Sequence, residues 1–338
     1  MQKSIFKIFK RNWGVGLVAL SLAFSFAYVA RASDCTKTSV GLKPLTELGT
    51  DLYEGRAGGL YPSGQNTPPT EHEAAGLALA NEVQPLDAHG QPNPQNGRIV
   101  LLSIGMSNTT QEFSTFIRTA SADRDRSPQL VIVDGAQGGM SAARIINPND
   151  GSSGTRFWTT VDQRLASAGV TAKQVQVAWV KQVDAAPTRA FPTHAEQLQS
   201  ELAIIAQLLK SRFPNIKIAY CSSRTYAGYA TTNLNPEPYA YESGFAVKWL
   251  IESQINGASE LNYDPARGEV KAPWLAWGPY LWADGLTPRR DDGLIWACDD
   301  FGSDGTHPSD KGRQKIANLL LNFFKTDPTA QPWFLPRN

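Results

Sequence analysis

Between residues 98 and 220 the chain alternates short, β-branched apolar runs with stretches whose apolar residues recur every three or four positions. The runs are RIVLLSI from Arg98, QLVIVD from Gln129, VQVAWV from Val175 and IKIAY from Ile216. Strand-sized runs separated by helical periods predict parallel strands joined by crossover helices in an open α/β sheet. The clearest helix is predicted from Thr193. Thr193 and Glu196 fit a T-x-x-E capping box there, and Leu198, Leu202, Ile205 and Leu209 share one face up to a stop near Pro214. A second helix is predicted from near Ser309, burying Ile316, Leu319, Leu320 and Phe323. Residues 33–96 have another texture, rich in Gly, Pro, Asn and Thr with one helical candidate at 70–82. They predict an extension wrapped over a main domain of residues 97–325, which a tail of 326–338 follows. There are no internal repeats.

The first residues belong to none of this. Lys3, Lys7, Lys10 and Arg11 precede an apolar stretch that ends in Ala30-Arg31-Ala32. That order predicts an export signal at 1–32, cleaved after Ala32, with a membrane anchor as the alternative. Export places the mature protein outside the cell or in the periplasm. Losing the five cations Lys3, Lys7, Lys10, Arg11 and Arg31 from 32 basic residues leaves 27 against 31 acidic ones. With no basic stripe, nucleic acid is not an expected partner, nor is a membrane once the signal is gone. Three cysteines in an exported chain permit one disulfide. Cys221–Cys298 is the expected pair, since both follow strands at one end of the fold, and two buried thiols are the alternative. Cys35 stands close enough to the signal for lipidation to be weighed, although Asp34 before it does not fit a lipid-attachment box.

In an open parallel sheet, ligands bind beyond the carboxyl ends of the strands, so the residues just past each run are the candidates for chemistry. After the first run comes Gly105-Met106-Ser107-Asn108 and a helical period at Phe113, Phe116 and Ile117. A serine on such a turn exposes its hydroxyl, and its own N–H joins the free donors of the helix start. The plainer reading is a helix cap. After the second run, GAQGGMSAARI supplies a glycine turn that lets backbone N–H groups approach a ligand, or simply a tight turn. After the third, Gln182 in VKQVD offers an amide donor, or lies in a solvated loop. Beyond these, SDGTHPSDKG puts Asp304 three residues before His307. Such an aspartate fixes the ring tautomer and leaves the other nitrogen free to take a proton, and the following helix start favours the neutral ring. His72, His89 and His194 are read as surface residues.

Taken together, GMSN, QGGMS and DGTH resemble three of the sequence blocks of the SGNH hydrolases, the GDSL-like esterases. GMSN is similar to the Gly-Gln-Ser-Asn variant of the sialate and acetylxylan esterase branch. The resemblance implies a three-layer α/β/α flavodoxin-like sandwich with a central parallel sheet. It implies Ser107 as nucleophile, His307 as base and Asp304 as its orienting partner. The oxyanion hole would comprise the N–H groups of Ser107 and Gly139, with Gly138 as the alternative, and the Gln182 amide in place of the family's asparagine. No metal and no cofactor are required.

The span from Lys271 to Phe301 gathers Trp274, Trp277, Tyr280, Trp282 and Trp296 with interspersed Asp and Arg. Such faces suit sugar rings, and Arg224, Tyr226, Trp282 and Trp296 are the expected substrate-binding residues. Packing of a long insertion is the alternative for the tryptophans. The expected substrate is an O-acyl ester, foremost an O-acetyl ester, on a carbohydrate. A general short-chain carboxylesterase and a non-catalytic glycan-binding protein are the competing readings. A metal-dependent hydrolase using Asp299, Asp300, Asp304 and His307 is a further one.

Overall fold

The computed structural model describes residues 32–336, so the expected signal lies outside the described residues except for Ala32. Five strands form one sheet: β1 (Ile99–Gly105), β2 (Leu130–Asp134), β3 (Val175–Lys181), β4 (Ile218–Cys221) and β5 (Trp274–Trp277). Their order is β2-β1-β3-β4-β5 and every pairing is parallel. Strands β1 and β3 occupy the middle and are buried along their whole length. Continuous apolar runs such as Ile99–Leu102 fit that position, because both faces are covered.

Among the described residues, six helices longer than two turns accompany the sheet: α1 (Thr70–Glu82), α2 (Ser107–Ala122), α3 (Ser153–Ser167), α4 (Thr193–Arg212), α5 (Tyr239–Ile255) and α6 (Asp310–Thr326). The link from β1 to β2 runs in the opposite lateral direction to the later ones. Right-handed crossovers therefore place α2 on one face and α3, α4 and α5 on the other. Helix α6 returns to pack on α2, with Phe116 against Phe324 at a centroid distance of 5.4 Å. The result is a three-layer α/β/α sandwich around a central parallel sheet. Strand order reverses between β1 and β3, which puts the ligand crevice of this architecture beyond their carboxyl ends.

The extension lies along β5. Its helix α1 pairs with that edge strand through side chains: His72 Nε2 lies 2.8 Å from the Leu275 carbonyl, and Trp274 Nε1 donates to the His72 carbonyl at 3.0 Å. Gly76 is required at this contact, because a Cβ there would stand 2.3 Å from the Trp274 ring. Strand β5 was not expected; Trp274 and Trp277 belong to it and are core residues. His72 and His194 are also buried, against Trp274 and Tyr239, so the surface reading holds for His89 alone.

Two helix details depart from expectation. Thr193 is already the first residue of α4, and Pro192 at the cap position has no side chain to accept an N–H, so the capping box does not form. In α6 the deeply buried stripe is Ile316, Ala317, Leu320 and Phe324, while Leu319 and Phe323 are only partly covered. Ser309 does cap α6, accepting from the Gly312 N–H.

The expected Cys221–Cys298 pairing is wrong. Cys298 is bonded to Cys35, with Cα atoms 5.4 Å apart across 263 residues of sequence. Cys221 ends β4 inside the sheet, where burial pushes its thiol up to about 12. The extension carries Cys35 to Cys298 by pairing backbone with two loops, Ser33 N–H to the Ser303 carbonyl at 2.6 Å and Asp34 N–H to the Tyr229 carbonyl at 3.0 Å. With its sulfur in the disulfide, Cys35 has no thiol left for lipidation. Peptide mapping without reductant is expected to return a Cys35–Cys298 crosslink, with Cys221 alkylated only after unfolding. Cys298→Ser is expected to cost about 2–5 kcal/mol in urea unfolding, since the bond closes a very long loop.

Candidate active site

Two tight turns bring the serine and the histidine to the same end of the sheet. At the first, Gly105 ends β1 where a Cβ would meet Thr109 Oγ1 at 2.3 Å and the Lys181 carbonyl at 2.4 Å, so only glycine lets the chain turn directly into α2. Met106 takes the cap position and Ser107 is the first helical residue. Its hydroxyl does not cap the helix; it lies 2.8 Å from His307 Nε2. At the second, Gly305 adopts φ +64° and a Cβ there would stand 2.1 Å from the Tyr229 carbonyl. That close turn folds Asp304 back onto His307, with Nδ1 and Oδ2 2.6 Å apart. Asp304 Oδ1 also accepts the N–H groups of Thr306 and His307 at 3.0 and 2.9 Å. Burial raises the Asp304 pKa, but these donors outweigh it and hold the carboxyl well below the usual carboxylate range. The two turns are tied directly, as Asn108 Nδ2 donates to the Thr306 carbonyl at 2.8 Å.

Ser107, His307, Gly139, Arg224 and Asn235 share a cavity of about 230 Å³, whose other walls include Met106, Ala185 and Leu234. Among the described residues no protein acceptor takes the N–H of Ser107 or of Gly139. Gly139 sits at φ +73°, and its carbonyl is held by Arg144 at 2.9 Å. The structure thus brings together Ser107, Asp304, His307, Gly139 and Arg224.

Four expected site residues are not on the cavity wall. Gln182 is buried with its amide already engaged: Nε2 donates to the Met140 carbonyl at 2.8 Å and Oε1 accepts the Val183 N–H at 3.1 Å. It braces the glycine turn from behind and does not line the cavity. Tyr226, Trp282 and Trp296 are fully buried. Their polar atoms are used inside the fold, on the Lys37 carbonyl, on Glu237 Oε1 and on the Leu281 carbonyl. The aromatic segment is core, because each ring finds a partner for its single polar atom there. Asp299 and Asp300 do not converge with His307 either; they pair with Lys311 and Lys315.

Sequence reading also missed a buried ion pair beneath the site. Lys181, the last residue of β3, lies 2.6 Å from both carboxylate oxygens of Glu112 on α2. Burial lowers the Lys181 pKa to about 8, with Glu112 opposing and Arg224 adding to the shift. The available signals were a lysine closing an apolar run and a glutamate beside Phe113 on the inward face of α2. Asn235 was missed as well; Nδ2 donates to the Asp184 carbonyl at 3.2 Å, while Oδ1 is buried without a donor.

No family model matches the chain, and no curated protein matches it. Among solved structures it is similar to a Bacteroides fragilis protein provisionally designated an acylhydrolase, with 13% identity, TM-score 0.39, 73% of this chain and 92% of that one covered. A lipase from a goat rumen metagenome gives 13% identity and TM-score 0.36, over 66% and 96% of the two chains. The periplasmic domain of a lipopolysaccharide acetyltransferase from Salmonella Paratyphi A gives 14% identity and TM-score 0.36, over 75% and 94%. At such distances the chemistry rests on this chain's own side chains.

Removing one partner of a buried pair leaves an uncompensated charge, whereas removing both need not. Glu112→Gln is therefore expected to lower unfolding free energy by about 3–5 kcal/mol in urea, and Glu112→Leu combined with Lys181→Met to recover most of it.

Proposed function

We propose that this chain is an exported serine esterase of the SGNH type that cleaves a short O-acyl ester. The observation that carries the reading is the continuous hydrogen-bonded line Ser107–His307–Asp304 opening into a cavity, with 2.8 and 2.6 Å links. With its Nδ1–H given to Asp304, His307 presents Nε2 to the Ser107 hydroxyl. Ser107 Oγ attacks the ester carbonyl while His307 takes its proton. The proton then passes to the leaving alcohol as the carbonyl re-forms and an acyl-serine remains. Water, deprotonated by the same nitrogen, attacks the acyl-serine and releases the acid. The free N–H groups of Ser107 and Gly139 stabilise the oxyanion, at about 3 kcal/mol each. An arrangement kept only for binding gains nothing from a base poised on a serine hydroxyl.

An acetyl or similarly small acyl group suits a cavity of about 230 Å³ walled by Met106, Ala185 and Leu234. A carbohydrate as the alcohol is supported by the signal-like start and by the resemblance of GMSN, and no longer by the buried tryptophans. A general short-chain carboxylesterase is the second reading, favoured by those apolar walls. The Cys35–Cys298 disulfide supports an oxidising compartment.

A fluorophosphonate label followed by peptide mapping is expected to give an adduct on Ser107 alone, and a label on Ser103 or Ser141 would overturn the assignment. Hydrolysis of p-nitrophenyl acetate is expected to survive EDTA and to fall by roughly a thousandfold or more in Ser107→Ala with the melting temperature kept. A parent protein without turnover would instead support the glycan-binding reading.

A further inference from the structure

One side chain at the cavity has hydrogen-bonding capacity that no described residue uses. Arg224 follows β4, is 3% exposed, and lines the cavity with Ser107 and His307. Its guanidinium makes no hydrogen bond or ion pair with any described residue, and its Nε is buried without a partner. Burial pushes its pKa down, and Glu112, Glu237 and Asp304 push it up through space. A guanidinium nonetheless stays protonated throughout the working pH range. None of those carboxylates touches it, because each is held elsewhere: Glu112 by Lys181, Asp304 by His307, and Glu237 by the Trp282 indole and the Ala227 and Tyr241 N–H groups. A buried Nε–H without an acceptor is costly unless a ligand supplies one, and the four remaining N–H donors have no partner among the described residues.

We propose that Arg224 reads a carboxylate on the substrate, so that the ester cleaved at Ser107 carries a carboxylate on its acyl or its alcohol half. The inference deepens the esterase reading and rests on it. A planar guanidinium matches a carboxylate with two parallel N–H···O bonds, which a neutral carbonyl cannot fill. Three carboxylates already feel Arg224, so a monoanion suits the remaining field better than a dianionic phosphate. Position agrees as well. Strand β4 is two places from β1 in the sheet, roughly 10 Å at ordinary strand spacing. An arginine reaching back across that gap meets a group a few bonds from the reacting carbon.

The test measures kcat/KM in a pH-stat for two matched pairs. Monoethyl succinate against ethyl butyrate places the charge on the acyl half; 4-acetoxybenzoate against its methyl ester places it on the alcohol half. A preference of about tenfold or more for the anion is expected in one pair, the size of a charged hydrogen bond. Arg224→Gln is expected to collapse that ratio towards one, with Arg224→Lys in between. No preference in either pair, or a ratio that survives Arg224→Gln while both rates fall together, overturns the proposal and moves Arg224 to the oxyanion or the fold. Should Arg224→Gln not fold, the Ser107→Ala protein decides by its melting temperature with 4-hydroxybenzoate and with 4-hydroxybenzamide. A rise for the acid alone supports the proposal, and equal responses overturn it. A parent inactive on all four esters with an acid-selective rise would sink the esterase reading and leave the carboxylate site standing.

Discussion

The Ser107–His307 hydrogen bond joins residues 200 positions apart, and its histidine comes from an irregular loop. A set of contacts from the elements around it holds that loop in place. Asp300 is wholly buried at its start, accepts the Ala297 N–H and pairs with Lys315 from α6. The Ser309 N–H then bonds back to the Asp300 carbonyl at 2.9 Å, closing the loop on itself. Within it, the Asp304 carbonyl takes the Thr231 N–H and the Thr306 carbonyl takes the Asn108 amide, so the loop after β4 and the first turn of α2 grip it from outside. The disulfide at Cys298 anchors the same stretch to the extension. A catalytic geometry on a loop needs its backbone polar groups satisfied in this way, because irregular chain has no ladder of its own.

The buried charges near the site follow one rule with one exception. Lys181 has Glu112, Asp304 has His307 and two amides, and Glu237 has three N–H donors; burial still pushes the Glu237 carboxyl up to about 7. In each case the fold provides the partners, so the charge is fixed in place and the surrounding rigidity follows. Among the described residues near the site Arg224 is the exception, and with the neighbouring charges already partnered it is left for something outside the chain, as proposed above.

How much of this was legible depended on the range of the information. Strands β1 to β4 could be read because β-branched runs bounded by turns are local signals. Strand β5 could not, since WLAW is short and aromatic, and what makes it a strand is its parallel pairing with β4. Ser107, Asp304 and His307 were legible because a serine at a strand end and an Asp-x-x-His pattern each encode their geometry within four residues. The cysteine pairing was not, because it depends on where 33–38 crosses the sheet end. The tryptophans misled for a related reason: whether a ring faces solvent or core is decided by partners such as Leu60 and His72, two hundred residues away in the chain.

Gln182 is the instructive failure. The expectation that it donates to substrate treated an amide near the right strand end as equivalent to an amide aimed at the right point. In the fold its amide holds Met140, the residue after Gly139, and the Ala142 N–H bonds to the Val183 carbonyl beside it. The same strand end thus acts on the glycine turn instead of on the ligand. In the proposed reaction this exchanges a flexible side-chain donor for a firmly seated backbone one. A backbone N–H in a braced turn loses no rotamer freedom when the oxyanion forms, so preorganisation offsets part of what a third donor supplies. Glutamine in place of the asparagine that the resemblance implies therefore does not by itself argue for a non-catalytic binding protein. It relocates the polar side chain from contact with the substrate to support of the group that makes the contact.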